Sequence, residues 1–330
     1  MNANLAQQLD ASVDTAGLLL RCPVCTSPLG CVELSDAAST ASCARCAFVV
    51  GNRGGVWRTL APMRELYYWR FAAEYSAIRA REGRSSDGPE YYLALPFRDT
   101  TGHNAWQWKI RACSFQYLTT HVLPPIEGRA GRSLHVLDIG AGNGWLSYRL
   151  CLRGYRCVAV DLLDNHEDGL GAAWHYRSHL PRPLVCVQAE MDNLPFVDAQ
   201  FDVAVFNASL HYSEDYMRTL REAIRCLRPG GEVIVMDTPF YENEESGRTM
   251  VLEKHASFQQ QYGLRSDSIR SVEYMTPRAL AELEHGLGLR WRIGKPRYGL
   301  SWALRPWKAR LRGRREPSKF YVFSATAGGQ

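Results

Sequence analysis

The chain has 330 residues, of which 46% are hydrophobic, 22% charged and 11% aromatic. Those values exclude a largely disordered, collagen-like or coiled-coil protein, and the length allows roughly two domains with a self-sufficient core. No stretch approaches the roughly 18 apolar residues of a membrane span, and residues 1–20 hold no basic stretch before Leu18-Leu19-Leu20, so a cytoplasmic protein is expected. The formal charge of +5 says little as an average. The ten cysteines are unevenly placed: five fall at 22, 25, 31, 43 and 46, and five are scattered from 113 to 226.

Cys22-Pro23-Val24-Cys25 and Cys43-Ala44-Arg45-Cys46 are two C-x2-C pairs at the spacing of a zinc ribbon, in which two tight turns give four thiolates to one tetrahedral ion. A hairpin is expected over 32–42 and a third strand over 48–50. Two disulfides or buried free thiols would use the same cysteines, and iron suits the same four-sulfur site. The paired spacing in a reducing cytosol favours zinc. A closed set of four ligands leaves no open position, so the metal is expected to be structural, with Cys31 packed outside it.

Residues 62–82 read as a helix rich in Tyr and Arg, ending at the Gly/Ser/Pro linker 83–89. A polar aromatic segment, 95–111, then leads into a second helix. Thr101 or Asn104 can cap it, and Trp108, Arg111 and Phe115 fall at helical spacing.

From 134 the pattern becomes strand, glycine turn, helix. An apolar run ending in Asp138-Ile139 precedes Gly140-Ala141-Gly142-Asn143-Gly144, and a helical spacing follows until Gly154. A second strand, 155–160, ends in Asp161, where a carboxylate can accept both hydroxyls of a ribose. The glycines alone fit a dinucleotide fold equally well. Asp138, directly before the turn, is poor company for a pyrophosphate and suits a cationic ligand.

These residues resemble the class I S-adenosylmethionine-dependent methyltransferases, and the resemblance continues in family order through five segments. They are the 136–144 turn, Asp161, Gln188-Ala189-Glu190-Met191-Asp192, the strand Phe201-Asp202-Val203-Ala204-Val205-Phe206-Asn207, and Leu227-Arg228-Pro229-Gly230-Gly231 with its strand. The resemblance implies Gly140 and Gly142 under the methionine part of the cofactor. It also implies Asp161 on the ribose, Glu190 on the adenine amino group and the Met191 backbone on a ring nitrogen. Asp138, Asn143, Leu162 and Asn207 complete the expected contacts. Many relatives carry Asp where this chain has Glu190. In the resembling enzymes an N-terminal helix lies over the cofactor, which implies Trp106, Trp108 and Arg111 closing the site, the arginine on a carboxylate. The alternative is a helix packing its aromatics on the sheet. A nicotinamide-binding dehydrogenase is the competing ligand reading.

The loop after the fourth strand, Asn207-Ala208-Ser209-Leu210-His211-Tyr212, is where a methyl acceptor would meet its base. His211 is the first choice, with Tyr212 orienting a hydroxyl; the alternative leaves His211 as a rim residue and catalysis to proximity. Residues 239–287 are expected as a helical, substrate-shaping insertion. Between 290 and 319 there are eleven Lys or Arg and one acid, so this stretch carries +10 and the other 300 residues sum to −5. It joins what read as the last antiparallel strand pair. It is a solvated excursion or a contact for phosphate-bearing substrate, anionic membrane or RNA.

The expected architecture is therefore α/β. A zinc ribbon (1–60) precedes a helical linker and cap (61–130) and a class I methyltransferase domain (131–330) built on a seven-stranded Rossmann-like sheet with helices on both faces. The expected cofactors are S-adenosylmethionine and structural zinc. The leading function is methylation of a small or medium-sized metabolite, a natural-product or lipid intermediate. The alternatives are a ribosomal or transfer RNA methyltransferase and a noncatalytic adaptor.

Overall fold

The computed structural model describes residues 18–31, 40–182 and 184–328. Its centre is a parallel block of Val-, Ile- and Leu-rich strands too apolar for any face to meet water: β6 (His135–Ile139), β7 (Arg156–Asp161), β8 (Val185–Gln188), β9 (Phe201–Asn207) and β10 (Leu227–Met236). Beside β10 lie β12 (Val322–Thr326) and β11 (Arg292–Gly294), with β12 antiparallel to both neighbours. This is the antiparallel pair expected at the carboxyl end.

Side chains alternate between the two faces. Val136, Val203, Val205 and Ile234 pack under the helices Ala105–Tyr117, Leu123–Ala130 and Trp145–Cys151, against Phe115, Ile126 and Leu146. Leu137, Ala204, Phe206 and Val235 face Leu220 and Ala223 of the helix Tyr216–Cys226 and Leu280 and Leu283 of the helix Pro277–Leu287. Asp215 caps the first of these helices by accepting from Arg218 N at 3.1 Å. Thr276 caps the second through Ala279 N at 3.2 Å, with Pro277 in its first turn.

The expected seven strands are only part of the sheet. Its order, β11-β12-β10-β9-β6-β7-β8-β5-β4-β3, contains ten, the last three being β3 (Thr40–Ser42), β4 (Val49–Arg53) and β5 (Val56–Arg58). β5 runs parallel to β8, with Trp57 opposite Val187, and Thr59 prolongs the pairing by donating twice to the Gln188 carbonyl. An unpaired β8 edge would leave a row of backbone donors and acceptors open, and the amino-terminal segment satisfies them. Its side chains join the same core: Leu20, Val50 and Trp57 are buried with Val187 and Phe196. A separate hairpin, β1 (Leu19–Arg21) with β2 (Pro28–Cys31), completes this region. Most of the expected 32–42 hairpin, and the side chain of Cys31, lie outside the described residues.

The helix Pro62–Arg81 links this region to the central domain, with Pro62 at its start. The segment 239–287 divides in two. The helix Pro277–Leu287 packs in the core together with Phe240 and Met275, whereas the helix Glu244–Tyr262 supplies Met250, Lys254 and Phe258 to a cavity.

Candidate active site and four-cysteine cluster

Ligands of open α/β sheets sit beyond the carboxyl ends of the strands, and here a cleft of about 1020 Å³ occupies that edge. The turn after β6 forms its floor. Gly140 N and Ala141 N both donate to the Val160 carbonyl, at 2.8 and 3.0 Å. Gly140 has φ +74°, and a Cβ there would lie 2.3 Å from Ser209 Cβ, so the position admits no side chain. Asp161, at the end of β7, accepts from Gly142 N at 2.8 Å and Leu163 N at 2.9 Å. Burial pushes its carboxyl up to about 6 against the pull of those amides.

Gly140, Gly142, Asn143, Asp161, Leu162, Glu190, Met191, Asn207, Arg111 and Tyr212 all line this cleft. Glu190 Oε2 is held by Arg64 at 2.7 Å and by the Tyr68 hydroxyl at 3.2 Å, both from the helix Pro62–Arg81. Asn207 Oδ1 is buried with no hydrogen-bond partner among the described residues. Arg111 lies 4.7 Å over the Trp108 ring and makes no ion pair among the described residues. Burial, with Arg84 and Arg79 nearby, lowers its guanidinium to about 10 against the pull of Asp237, which it feels at a distance and does not pair with directly.

Two expectations need correction. Trp106 is 46% exposed and packs 6.3 Å from the Trp302 ring, away from the cleft. On the helix Ala105–Tyr117 it sits about 200° round from Trp108, whose ring does line the cleft with Arg111 one turn on. Asp138 is fully buried beneath the turn and does not line the cleft; strand alternation points it to the helix side, where its Oδ2 accepts from the Ser147 hydroxyl at 2.8 Å. Burial pushes its carboxyl up to about 7.

A second chamber, about 680 Å³, shares Tyr75, Arg79 and Tyr212 with the first as a common wall. Its other walls include Arg84, His211, Glu273 and, from the helix Glu244–Tyr262, Met250, Lys254 and Phe258. His211 faces this chamber and is not in the first cleft. Its Nδ1 is buried without a partner among the described residues, and burial lowers it to about 4 against the pull of Glu273, leaving a neutral imidazole. Lys254 pairs with Glu273 at 2.6 Å and holds that carboxyl below its usual range despite burial. Arg79, buried in the shared wall, pairs with Asp168.

Sequence reading missed Tyr68, Phe71, Tyr75 and Arg79 as cleft residues. They recur every three or four positions along the helix Pro62–Arg81, a spacing that would have marked them as one inward face.

The four paired cysteines converge. Their sulfurs lie within 4.8 Å of one another, with Cys22 and Cys46 at 3.4 Å and Cys25 and Cys43 at 3.5 Å, and none is in a disulfide. The two turns match bond for bond. Cys22 N donates to Ser27 O and Thr26 N to Cys22 O; Cys43 N donates to Phe48 O and Ala47 N to Cys43 O, all at 2.8 Å. Thr26 and Ala47 take the same left-handed backbone, φ +62° and +59°.

Comparison with known proteins fits this geometry. The family described as "Methyltransferase domain" matches residues 137–235. Malonyl-[acyl-carrier protein] O-methyltransferase of Erwinia pyrifoliae is 32% identical over 106 residues, 32% of this chain and 38% of that protein. 27-O-demethylrifamycin SV methyltransferase of Amycolatopsis mediterranei is 30% identical over 134 residues, 39% of this chain and 48% of that protein. The chain thus spans less than half the length of these relatives. Among solved structures, a SAM-dependent methyltransferase from Thermotoga maritima aligns over 80% of this chain and 99% of its own, with 17% identity and a TM-score of 0.44.

Buried Asp138 makes a testable contribution to stability. Its folded pKa is about 7, against about 3.9 in an unfolded chain, so the unfolded state releases its proton first and Asp138 destabilises the fold progressively as pH rises from about 4 to 7. Asp138→Asn, which cannot ionise, is expected to gain stability relative to the parent over that window. Denaturant midpoints of both proteins across it measure the difference; a difference independent of pH contradicts the assignment. Residues 137–235, which hold the glycine turn, Asp161, Glu190 and Asn207, are the part of the chain that matches the methyltransferase-domain family.

Proposed function

We propose that this chain transfers a methyl group from S-adenosylmethionine to a small or medium-sized metabolite, of natural-product or lipid type, seated in the second chamber. The observation that carries the reading is the pair of cavities meeting at Tyr212, one lined by the glycine turn and ribose-type acid, the other by His211. Relatives named for metabolite acceptors, such as demethylrifamycin SV, support the acceptor class.

The residues of the first cleft fit the cofactor. Asp161 would accept from the ribose hydroxyls, its position set by two backbone amides. Glu190 would accept from the adenine amino group through Oε1, since Arg64 and Tyr68 occupy Oε2. Met191 would border the adenine, and Gly140, Gly142 and Asn143 would lie along the methionine part. The unpaired Arg111 cation would meet its carboxylate, and the orphaned Asn207 Oδ1 its amino group. Bound there, the cofactor supplies an electrophilic methyl group open to in-line displacement.

Tyr212 would position the acceptor between the cavities, and His211 would receive its proton. An imidazole lowered to about 4 is a weak base, but it is neutral across the physiological range and its Nδ1 has no competing partner. The pH profile of turnover should therefore show no histidine inflection near 6.5. His211→Ala is expected to lower turnover about a hundredfold; a loss below about tenfold at every pH would remove the base from the mechanism. Tritium transfer from methyl-labelled cofactor into cell extract tests the acceptor class. Label in the small-molecule fraction is expected. Label in RNA would favour an RNA methyltransferase, and no transfer would favour a cofactor-binding adaptor.

Four thiolates also fit structural zinc. A tetrahedron with arms of about 2.3 Å has edges near 3.8 Å, and the sulfur separations here bracket that value. When bound, the ion supplies folding free energy to turns that have little core of their own. Purified protein is expected to carry one zinc per chain by atomic absorption, and strong chelators to lower the melting temperature. Metal-free protein with an unchanged melting curve would exclude the site.

A further inference from the structure

Residues 300–311 form two short helices, Leu300–Ala303 and Arg305–Leu311, that run on almost continuously. Leu304 between them is right-handed helical, its N–H donates to Leu300 O, and its carbonyl accepts from Lys308 N, both at 3.0 Å. One side is anchored. Trp302 packs against Tyr298 at 4.9 Å and Phe320 at 5.4 Å, with the Arg305 guanidinium 3.8 Å over its ring.

The opposite side is bare. Leu300, Leu304, Trp307 and Leu311 are 83, 47, 62 and 67% exposed. At about 100° per residue these four fall within an arc of roughly 60°, a narrow apolar stripe pointing away from Trp302. Lys308 and Arg310 lie about 80° to either side of it, with Arg312 and Arg314 just beyond. No acid occurs from 291 to 315, and none of these four cations makes an ion pair among the described residues.

We propose that this stripe is a peripheral membrane-docking surface for anionic lipid. Exposed Leu and Trp would enter the headgroup boundary while flanking Lys and Arg reach lipid phosphates, the arrangement of an interfacial helix. Charge complementarity selects an anionic surface over a neutral one. The leucines select lipid over RNA, since single-stranded RNA is held by aromatic platforms and three of the four stripe residues have no ring to stack. No helix among the described residues is long and apolar enough to cross a membrane, so docking is from one side.

Flotation of the full chain with two vesicle types tests this. Vesicles of equimolar phosphatidylcholine and phosphatidylglycerol are expected to carry the protein up the gradient, and phosphatidylcholine alone to leave it behind. Trp307→Ser with Leu311→Ser should lower partitioning at least about tenfold. Lys308→Gln with Arg310→Gln should lower it about twentyfold at low salt. All four side chains are exposed, so unchanged melting temperatures would confirm that both variants fold. Absence of flotation with either vesicle overturns the proposal. So does flotation indifferent to the apolar pair, or tight binding of a single-stranded RNA oligonucleotide in place of vesicles.

Discussion

The site depends on how two adjacent strand ends hold one turn. Four backbone amides, those of Gly140, Ala141, Gly142 and Leu163, point at acceptors on the last two residues of β7: the Val160 carbonyl and the Asp161 carboxylate. That arrangement fixes the turn after β6, forces the left-handed backbone at Gly140 and brings Ser209 against it, where the Ser209 hydroxyl donates to Ile139 O. The loop carrying His211 and Tyr212 is thereby tied to the glycine turn. A carboxylate that accepts two amides is also fixed in direction, and Asp161 lines the cleft.

The amino-terminal region is built into the same sheet and does not hang from it. Besides the pairing of β5 with β8, Asn193 donates to Pro23 O at 2.8 Å, and Arg21 bonds the Leu194 carbonyl and Glu222. These contacts bracket Glu190 and Met191, at one end of the cleft. The helix Pro62–Arg81 then leads from the amino-terminal strands to the cleft, delivering Arg64 and Tyr68 to Glu190 and Arg79 to Asp168. The pair of Arg79 with Asp168 lines the cleft, so removing one partner would leave the other charge there uncompensated. The cysteine region and the cleft are thus mechanically continuous through backbone pairing, core packing and buried ion pairs.

The parts legible in the sequence are those governed by local rules. Apolar runs of strand length, the glycines at 140, 142 and 144, Asp161 and the two C-x2-C pairs each declare themselves within a few residues, and the antiparallel end of the sheet was readable from 291–293 and 320–324. Tertiary choices were not. Nothing local in Val56-Trp57-Arg58 says that it will pair in parallel with a strand about 130 residues away. Trp106 and Trp108 are equally aromatic, and only the rotation of their helix decides which reaches the cleft. Asp161 ends its strand, but Asp138 lies one residue short of the end of β6, and strand alternation turns it towards Ser147. His211 stands in a readable loop, but the cavity it faces is lined by Met250, Lys254 and Phe258 of a helix whose side chains carry no motif.

The central claim is that the cleft is shaped for an adenosylmethionine-type ligand and not for a dinucleotide. Thermal unfolding of the full chain with S-adenosylhomocysteine, and separately with NADH, tests it most directly, with Asp161→Ala as the matched control. The account predicts that S-adenosylhomocysteine at a hundredfold excess over its Kd stabilises the fold by about 2.7 kcal/mol, that NADH leaves it unchanged, and that Asp161→Ala abolishes most of the gain. A melting temperature raised by NADH and not by S-adenosylhomocysteine would contradict it.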